Sequence, residues 1–322
     1  MGTNQNPQHK ILDAGTEHCR LVSDKDKVRQ VCWLQHPRLA QYINLQISGD
    51  PQKDWLDWFK SEYAPVPFKN GLSIGCGTGQ VEREMVIKKI GLTFEGIDIN
   101  PESIQTARTE AHKNGMSDVL SYRVENVDQI KLPANKYDII FCSHSLHHVS
   151  KLERVLKQIR HSLKSGGVFF INEYVGPSQF IFTDAQLSAM NEYLAELPPS
   201  YVNSLKEPGV QKREVIRPTR EFMNSVDPSE AVRSDEIVPL MNRYFKIEQQ
   251  KNYGGTLLQF GVADIVGNFD PDKIEDQIWL DRLYEKEQSL MRLGKIGSDF
   301  TVIVARIPDD YSSIQRFWDG LF

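Results

Sequence analysis

Between Leu72 and Glu173 short apolar runs alternate with stretches of helical periodicity, and the first run feeds straight into a glycine-rich turn. Residues 72–74 read as a strand, 75–79 as the turn, and a helix follows to about Lys89. Residues 92–99 make a second strand, and Pro101 opens a helix at the position proline favours. Residues 122–124, 137–142 and 168–173 are the next three strands. The middle one is nearly all apolar, as a strand buried on both faces must be. Residues 152–163 read as a helix stopped by Ser165-Gly166-Gly167. Such alternation packs as a parallel sheet with right-handed crossovers and helices on both faces. The expected class is therefore α/β: a doubly wound, mainly parallel, seven-stranded sheet. Its last two strands are 245–253 and 300–306, on either side of a helix around 276–293.

The flanking chain divides into segments. Residues 1–65 read as a helical N-terminal cap, with Val28, Val31, Leu34, Leu39, Tyr42 and Ile43 at helical spacing and Pro37 as a break. Trp55, Trp58 and Phe59 form a second stripe. Residues 66–176 are the core. Residues 177–240, helical around 184–197 and then rich in proline and charge, read as an inserted lid. Residues 241–322 complete the sheet, and 312–322 look like an amphipathic helix docked on the surface.

A net charge of -5 gives no electrostatic reason to expect nucleic acid or an anionic membrane, although such an average hides local basic patches. No run approaches the roughly 18 apolar residues of a membrane span. Residues 1–10 hold no apolar signal region. Cys19, Cys32, Cys76 and Cys142 form no CxxC pair, which argues against a zinc site or disulfide framework and for the cytoplasm. The oligomeric state is not legible.

The chemistry starts at Ile74-Gly75-Cys76-Gly77-Thr78-Gly79-Gln80. A strand-to-helix turn of this kind presents N–H groups to an anion, and glycine lets a ligand approach the backbone closely. A dinucleotide fingerprint needs a sixth-position glycine, where Gln80 or Glu82 stands. Glu82 and Glu84 would moreover repel a pyrophosphate, so a ligand with one carboxylate suits the turn better. Asp98 ends the second strand about 20 residues on, where a carboxylate meets ribose hydroxyls. Its alternative use as a helix cap is better filled by Asn100.

With these residues, and with Tyr137-Asp138-Ile139-Ile140-Phe141 and Leu163-Lys164-Ser165-Gly166-Gly167-Val168, the chain resembles the class I S-adenosylmethionine-dependent methyltransferases over roughly 68–175. The resemblance implies S-adenosyl-L-methionine as cofactor. Gly75 and Gly77 would meet its methionine portion, Asp98 its ribose, and residues 124–128 would border its adenine. The implied cofactor set is Gly75, Cys76, Gly77, Gly79, Asp98, Ile99, Asn126, Val127 and Ser143. Related sequences often carry Asp at the place of Asn126, whose side-chain carbonyl can still accept from an amino group.

His147, His148 and Glu173 stand at the carboxyl ends of strands four and five and are the candidate bases. His144 reads as a turn residue, and no metal is expected. Tyr174, Arg217 and Tyr253 are the candidate acceptor contacts, with Arg233 as a second arginine that could reach the cleft. The acceptor class is a small or medium organic molecule such as a sugar, lipid-linked glycan or natural product, with O-methylation slightly favoured. The alternatives are a non-catalytic S-adenosylmethionine-binding protein and a nicotinamide-dependent oxidoreductase.

Overall fold

The computed structural model describes residues 21–24, 27–30 and 32–321. The polar stretch 1–10, Cys19 and Val31 lie outside them. Two strands, β1 (Leu21–Asp24) and β2 (Lys27–Gln30), pair antiparallel where helix was expected. A window that short cannot tell helical from strand periodicity. The helices begin at α1 (Pro37–Ser48), with Pro37 at its first turn, and α2 (Trp55–Tyr63), capped by the Asp54 carboxylate.

Then come β3 (Phe68–Ile74), α3 (Gln80–Ile87), β4 (Gly91–Asp98), α4 (Pro101–Lys113) and β5 (Leu120–Val124). Next are β6 (Tyr137–Ser143), α5 (Leu152–Ser162), β7 (Leu163–Tyr174), α6 (Asp184–Glu196) and α7 (Arg220–Val226). The chain ends with α8 (Ile237–Tyr244), β8 (Lys246–Gly254), α9 (Ile274–Arg292), β9 (Phe300–Arg306) and α10 (Ser313–Leu321).

Two compact units divide the chain. One comprises residues 53–175, 231–251 and 301–322, the other 1–52, 176–230 and 252–300. The first holds the sheet, in the order β5-β4-β3-β6-β7-β9-β8. Its pairs β3–β4, β3–β6, β4–β5 and β6–β7 are parallel. The strand order reverses between β3 and β6, the point where open α/β sheets bind ligands.

Successive strand residues face opposite sides. On one face Ile140, Cys142, Phe169 and Ile171 join Leu152, Val155, Leu156 and Ile159 of α5 and Ile237, Leu240, Met241 and Tyr244 of α8 in a buried core. On the other, Phe170 stacks on Phe59 of α2 with centroids 3.9 Å apart. These contacts explain why 53–65 and 231–240 belong to the sheet unit and not to a cap and a lid.

Gly166-Gly167 does not end α5. The helix stops at Leu163, and the glycines form an irregular start to β7, where the register with β6 shifts between Tyr137 and Ile139. Gly166 takes a φ of 73°, which glycine adopts without strain.

In the second unit α1 and α9 are clamped by Arg38, whose guanidinium donates to both oxygens of Asp281 at 2.8 and 3.0 Å. Tyr42 stacks on Tyr284 there at 4.2 Å. Cys32 is disulfide-bonded, contrary to the reading of scattered spacing, while Cys76 and Cys142 are free thiols. Among the described residues no helix is long and apolar enough to cross a membrane.

Candidate functional site

Parallel strands bring the carboxyl ends of β3 to β7 to one edge of the sheet, and the candidate residues of the sheet unit stand on it. Gly75, Gly77 and Gly79 have φ of 70°, 51° and 75°, so the turn needs glycine at each. Its N–H groups are largely spent internally. Those of Gly75 and Cys76 donate to the Ile97 carbonyl at 2.8 and 3.0 Å, and that of Gly79 to Cys76 at 2.9 Å. The N–H of Gly77 donates to Asp98 Oδ2 at 2.8 Å. The turn thus offers close approach more than the ring of open donors expected of it.

Asp98 is the joint of the site. Its second oxygen accepts from the Asn100 N–H at 2.9 Å. Asn100 caps α4 through its own side chain, accepting from Glu102 and Ser103 at 2.8 and 3.2 Å. Asn100 is thus the helix cap expected of it. Beside Asp98, Ile99 is 64 % exposed and Val124, at the end of β5, is 49 % exposed. Two apolar side chains open at one strand edge leave a surface that a flat apolar ligand can cover. Asn126 is engaged as a turn residue: its Oδ1 accepts from the Asp128 N–H at 3.0 Å. Val127 packs partly into the core.

Glu82 corrects the electrostatic argument. It is buried on α3, its carboxyl is hydrogen-bonded to Ser73, and its Oε2 has no partner among the described residues. Burial pushes its pKa up to about 7, against the bond from Ser73. Near neutral pH it therefore places only part of a negative charge at the turn. Glu84, engaged by Gln80 Nε2 at 3.0 Å, remains. Burial likewise pushes the Cys76 thiol well up, leaving a poor nucleophile.

Sequence reasoning passed over Ser145. Its Oγ donates to the Ile74 carbonyl at 2.7 Å, and a Cβ on Gly75 would lie 2.2 Å from its own. Ser145 therefore seats the loop after β6 against the glycine turn. Only its place two residues beyond the end of a buried strand could have flagged it. His144 has a φ of 50°, and its N–H donates to Asn172 at 2.9 Å, a turn residue as expected.

Glu173 is fully buried. Oε2 accepts from the N–H groups of Ser145 at 2.9 Å and Leu146 at 2.7 Å, and Oε1 from Tyr174 N–H at 3.0 Å and from His147 Nδ1. Burial raises its pKa, but the His147 charge and hydrogen bond, His144 and the Ser145 N–H outweigh that and hold it below the usual range. The carboxylate stays ionised and fixes the His147 proton on Nδ1. The His147 carbonyl accepts from Val232 N–H at 3.1 Å, and its ring lies 4.2 Å from that of His148. Tyr174 is buried and meets the His147 ring edge-on at 6.2 Å. Arg233 is held by Glu153 and Glu236, at 2.7 and 2.6 Å.

Arg217 and Tyr253 belong to the other unit and have structural partners there. Arg217 donates to the Phe182 carbonyl at 2.6 Å and to Asp184. Tyr253 is buried, stacked on Trp33 and Phe300 at 6.3 and 5.7 Å.

Residues 72–171 match the family described as "Methyltransferase domain". A sterol 24-C-methyltransferase of Gibberella zeae is 33 % identical over 104 residues, 32 % of this chain and 27 % of that one. A ubiquinone biosynthesis O-methyltransferase of Actinobacillus pleuropneumoniae is 30 % identical over 122 residues, 36 % of this chain and 50 % of that one. The chain thus spans between a quarter and a half of the length of these relatives. Among solved structures, a phosphoethanolamine N-methyltransferase 2 of Haemonchus contortus in complex with S-adenosyl-L-methionine is 15 % identical with a TM-score of 0.49, covering 84 % of this chain and 57 % of that one.

Proposed function

We propose that this chain, which carries a class I S-adenosylmethionine-dependent methyltransferase domain over residues 72–171, transfers a methyl group to a hydroxyl of a small or medium organic acceptor. When bound, S-adenosyl-L-methionine supplies a methyl already activated on a positively charged sulfur. The residues fit that cofactor. Asp98 keeps acceptor capacity for ribose hydroxyls beyond its two backbone bonds, Ile99 and Val124 offer the apolar cover an adenine needs, and the glycine turn admits a close neighbour.

The observation that carries the reading is the Asp98 carboxylate bound at 2.8 Å to the glycine turn, which ties the strand end proposed to meet the ribose to the turn proposed to meet the methionine portion. Methyl transfer asks the protein mainly for position. Where the acceptor is a hydroxyl, a base must also remove its proton. His147 is the proposed base, with its ring oriented by the bond from Nδ1 to Glu173. Glu173 then acts as a positioning residue, since its oxygens are all engaged within the fold.

Calorimetric titration with S-adenosylhomocysteine, and separately with NADH, tests the cofactor site. Micromolar binding of the former is expected, weakened about 10- to 150-fold in Asp98→Ala, the value of a hydrogen bond to a charged group. No binding, or a preference for NADH, would overturn the reading.

A further inference from the structure

Helix α3 leaves the glycine turn with a carboxyl group folded inward at its first turn. Glu82 is only 1 % exposed, although glutamate is almost never fully buried without a paired charge. Ser73 of β3 is hydrogen-bonded to it, yet its Oε2 has no hydrogen-bond partner among the described residues. The adjacent Arg83 attracts it but donates elsewhere, to the Thr78 carbonyl at 2.8 Å and to Tyr122. The surroundings of Glu82 belong to the turn. A Cβ on Gly96 of β4 would come within 3.0 Å of the Cys76 Cβ and 2.5 Å of the Tyr122 ring, and one on Gly79 within 2.5 Å of the Tyr122 hydroxyl. Cys76 and Tyr122 thus close the back of the turn, and the Glu82 charge acts on both and on Asp98. A buried carboxyl group with an unspent acceptor and no cation of its own is costly to ionise.

We propose that Glu82 is a specificity-determining residue, whose buried charge favours S-adenosyl-L-methionine over the demethylated product S-adenosylhomocysteine. The inference rests on the reading that this cofactor binds at the glycine turn. Donor and product share the groups that the turn and Asp98 would recognise, and differ by a methyl and by the positive charge of the sulfonium. An ionised Glu82 attracts the ligand that carries the extra charge and leaves the other nearly unaffected. No contact with the sulfur is needed, because a charge in a poorly screened interior acts across several ångströms. The charged and titratable groups around Glu82 are Arg83 on its own helix, Cys76 in the turn, Asp98 on β4 and Tyr122 on β5. Burial pushes the Cys76 thiol and the Tyr122 phenol well up, so neither ionises near neutrality. Burial pushes Glu82 up only to about 7. Its charge, and with it the preference for the donor, therefore develops as pH rises toward 7 and is complete above it. By linkage, the donor pulls a proton off Glu82 on binding and the product does not.

Calorimetric titration of the full chain with each ligand in turn, without acceptor and from pH 5.5 to 8.5, is the test. The ratio of product to donor dissociation constants is expected to climb about tenfold and then level off, the rise that matches a drop of about one unit in the Glu82 pKa. In Glu82→Gln that rise should be absent. Ser73→Ala, which removes the bond favouring the ionised carboxylate, should keep the rise but move it up by about one pH unit. It serves as the second variant if glutamine disturbs the fold. Titration at pH 6.5 in two buffers of different ionisation enthalpy counts protons directly. Wild type should release more of them than Glu82→Gln on binding the donor, and no more on binding the product. Contributions from the histidines of the sheet edge and from the ligands' own amino group are common to both proteins and cancel. The same rise in wild type and Glu82→Gln, or a flat ratio in wild type, would overturn the inference while leaving the cofactor site standing, since S-adenosylhomocysteine would still bind. Failure of wild type to bind either ligand would overturn both.

Discussion

Glu173 spends all four of its observed hydrogen bonds inside the protein, and this decides what it can do. Its position at the end of a strand could be read from the sequence. That it turns inward, toward two backbone N–H groups and a histidine, could not, because the spacing of Ser145, Leu146 and His147 around it exists only after β6 and β7 pair. Glu173→Gln tests its role. A glutamine has one acceptor oxygen, which the N–H groups of Ser145 and Leu146 would claim, so its NH₂ would face His147 Nδ1. Nδ1 should then lose the carboxylate that holds its proton, so the proton should leave Nδ1. Nitrogen-15 NMR of the imidazole reads the tautomer directly. An Nδ1–H ring in both proteins would show that Glu173 does not set it.

At the scale of elements, what was legible was what periodicity and punctuation can encode. The buried strands from β3 to β7, and β9, came from apolar runs, and the α4 start from Asn100-Pro101. The errors have physical causes. The β1–β2 hairpin is shorter than the window that separates the two periods. Gly166-Gly167 looks like a helix end, but the left-handed backbone of Gly166 lies at a shift in strand register. Helix α10 was seen as amphipathic, but spacing alone cannot say which face docks. Its anchor is Asp319, paired with Arg160. Removing one partner of a buried ion pair costs about 3–5 kcal/mol, and a nine-residue helix is marginal in isolation. Asp319→Ala should therefore free α10 while leaving the sheet folded. Amide exchange over 313–321 is expected to speed up at least about tenfold with β6 and β7 unchanged. Unchanged protection of α10 would mean that other contacts hold it.

Across the whole molecule, burial of acids without cations shapes the response to pH. Glu82, Glu287 and Asp299 are fully buried, and burial pushes each up to about 7. The Ser73 bond opposes this for Glu82, the N–H groups of Gly255, Leu257 and Leu258 for Glu287, and Thr256 and Gln186 for Asp299. In the unfolded chain such acids ionise near pH 4. Between there and pH 7 the folded state holds the protons, so stability falls as pH rises, by about 1.4 kcal/mol per pH unit for each acid. Glu153 works in a lower window. Arg233 holds its pKa down at about 2, so its contribution is complete above the unfolded value and is lost as pH falls toward 2. Stability should therefore peak near pH 4.5–5 and decline toward neutrality. Sequence could not reveal this, since Glu82 reads there as a solvated helix residue. Glu82→Gln isolates one contribution. In urea unfolding between pH 5 and 7, the slope of stability with pH should be shallower in the variant by about 1.4 kcal/mol per unit. Identical slopes would mean that Glu82 is already ionised in the fold, and would restore negative charge to the helix start beside the glycine turn.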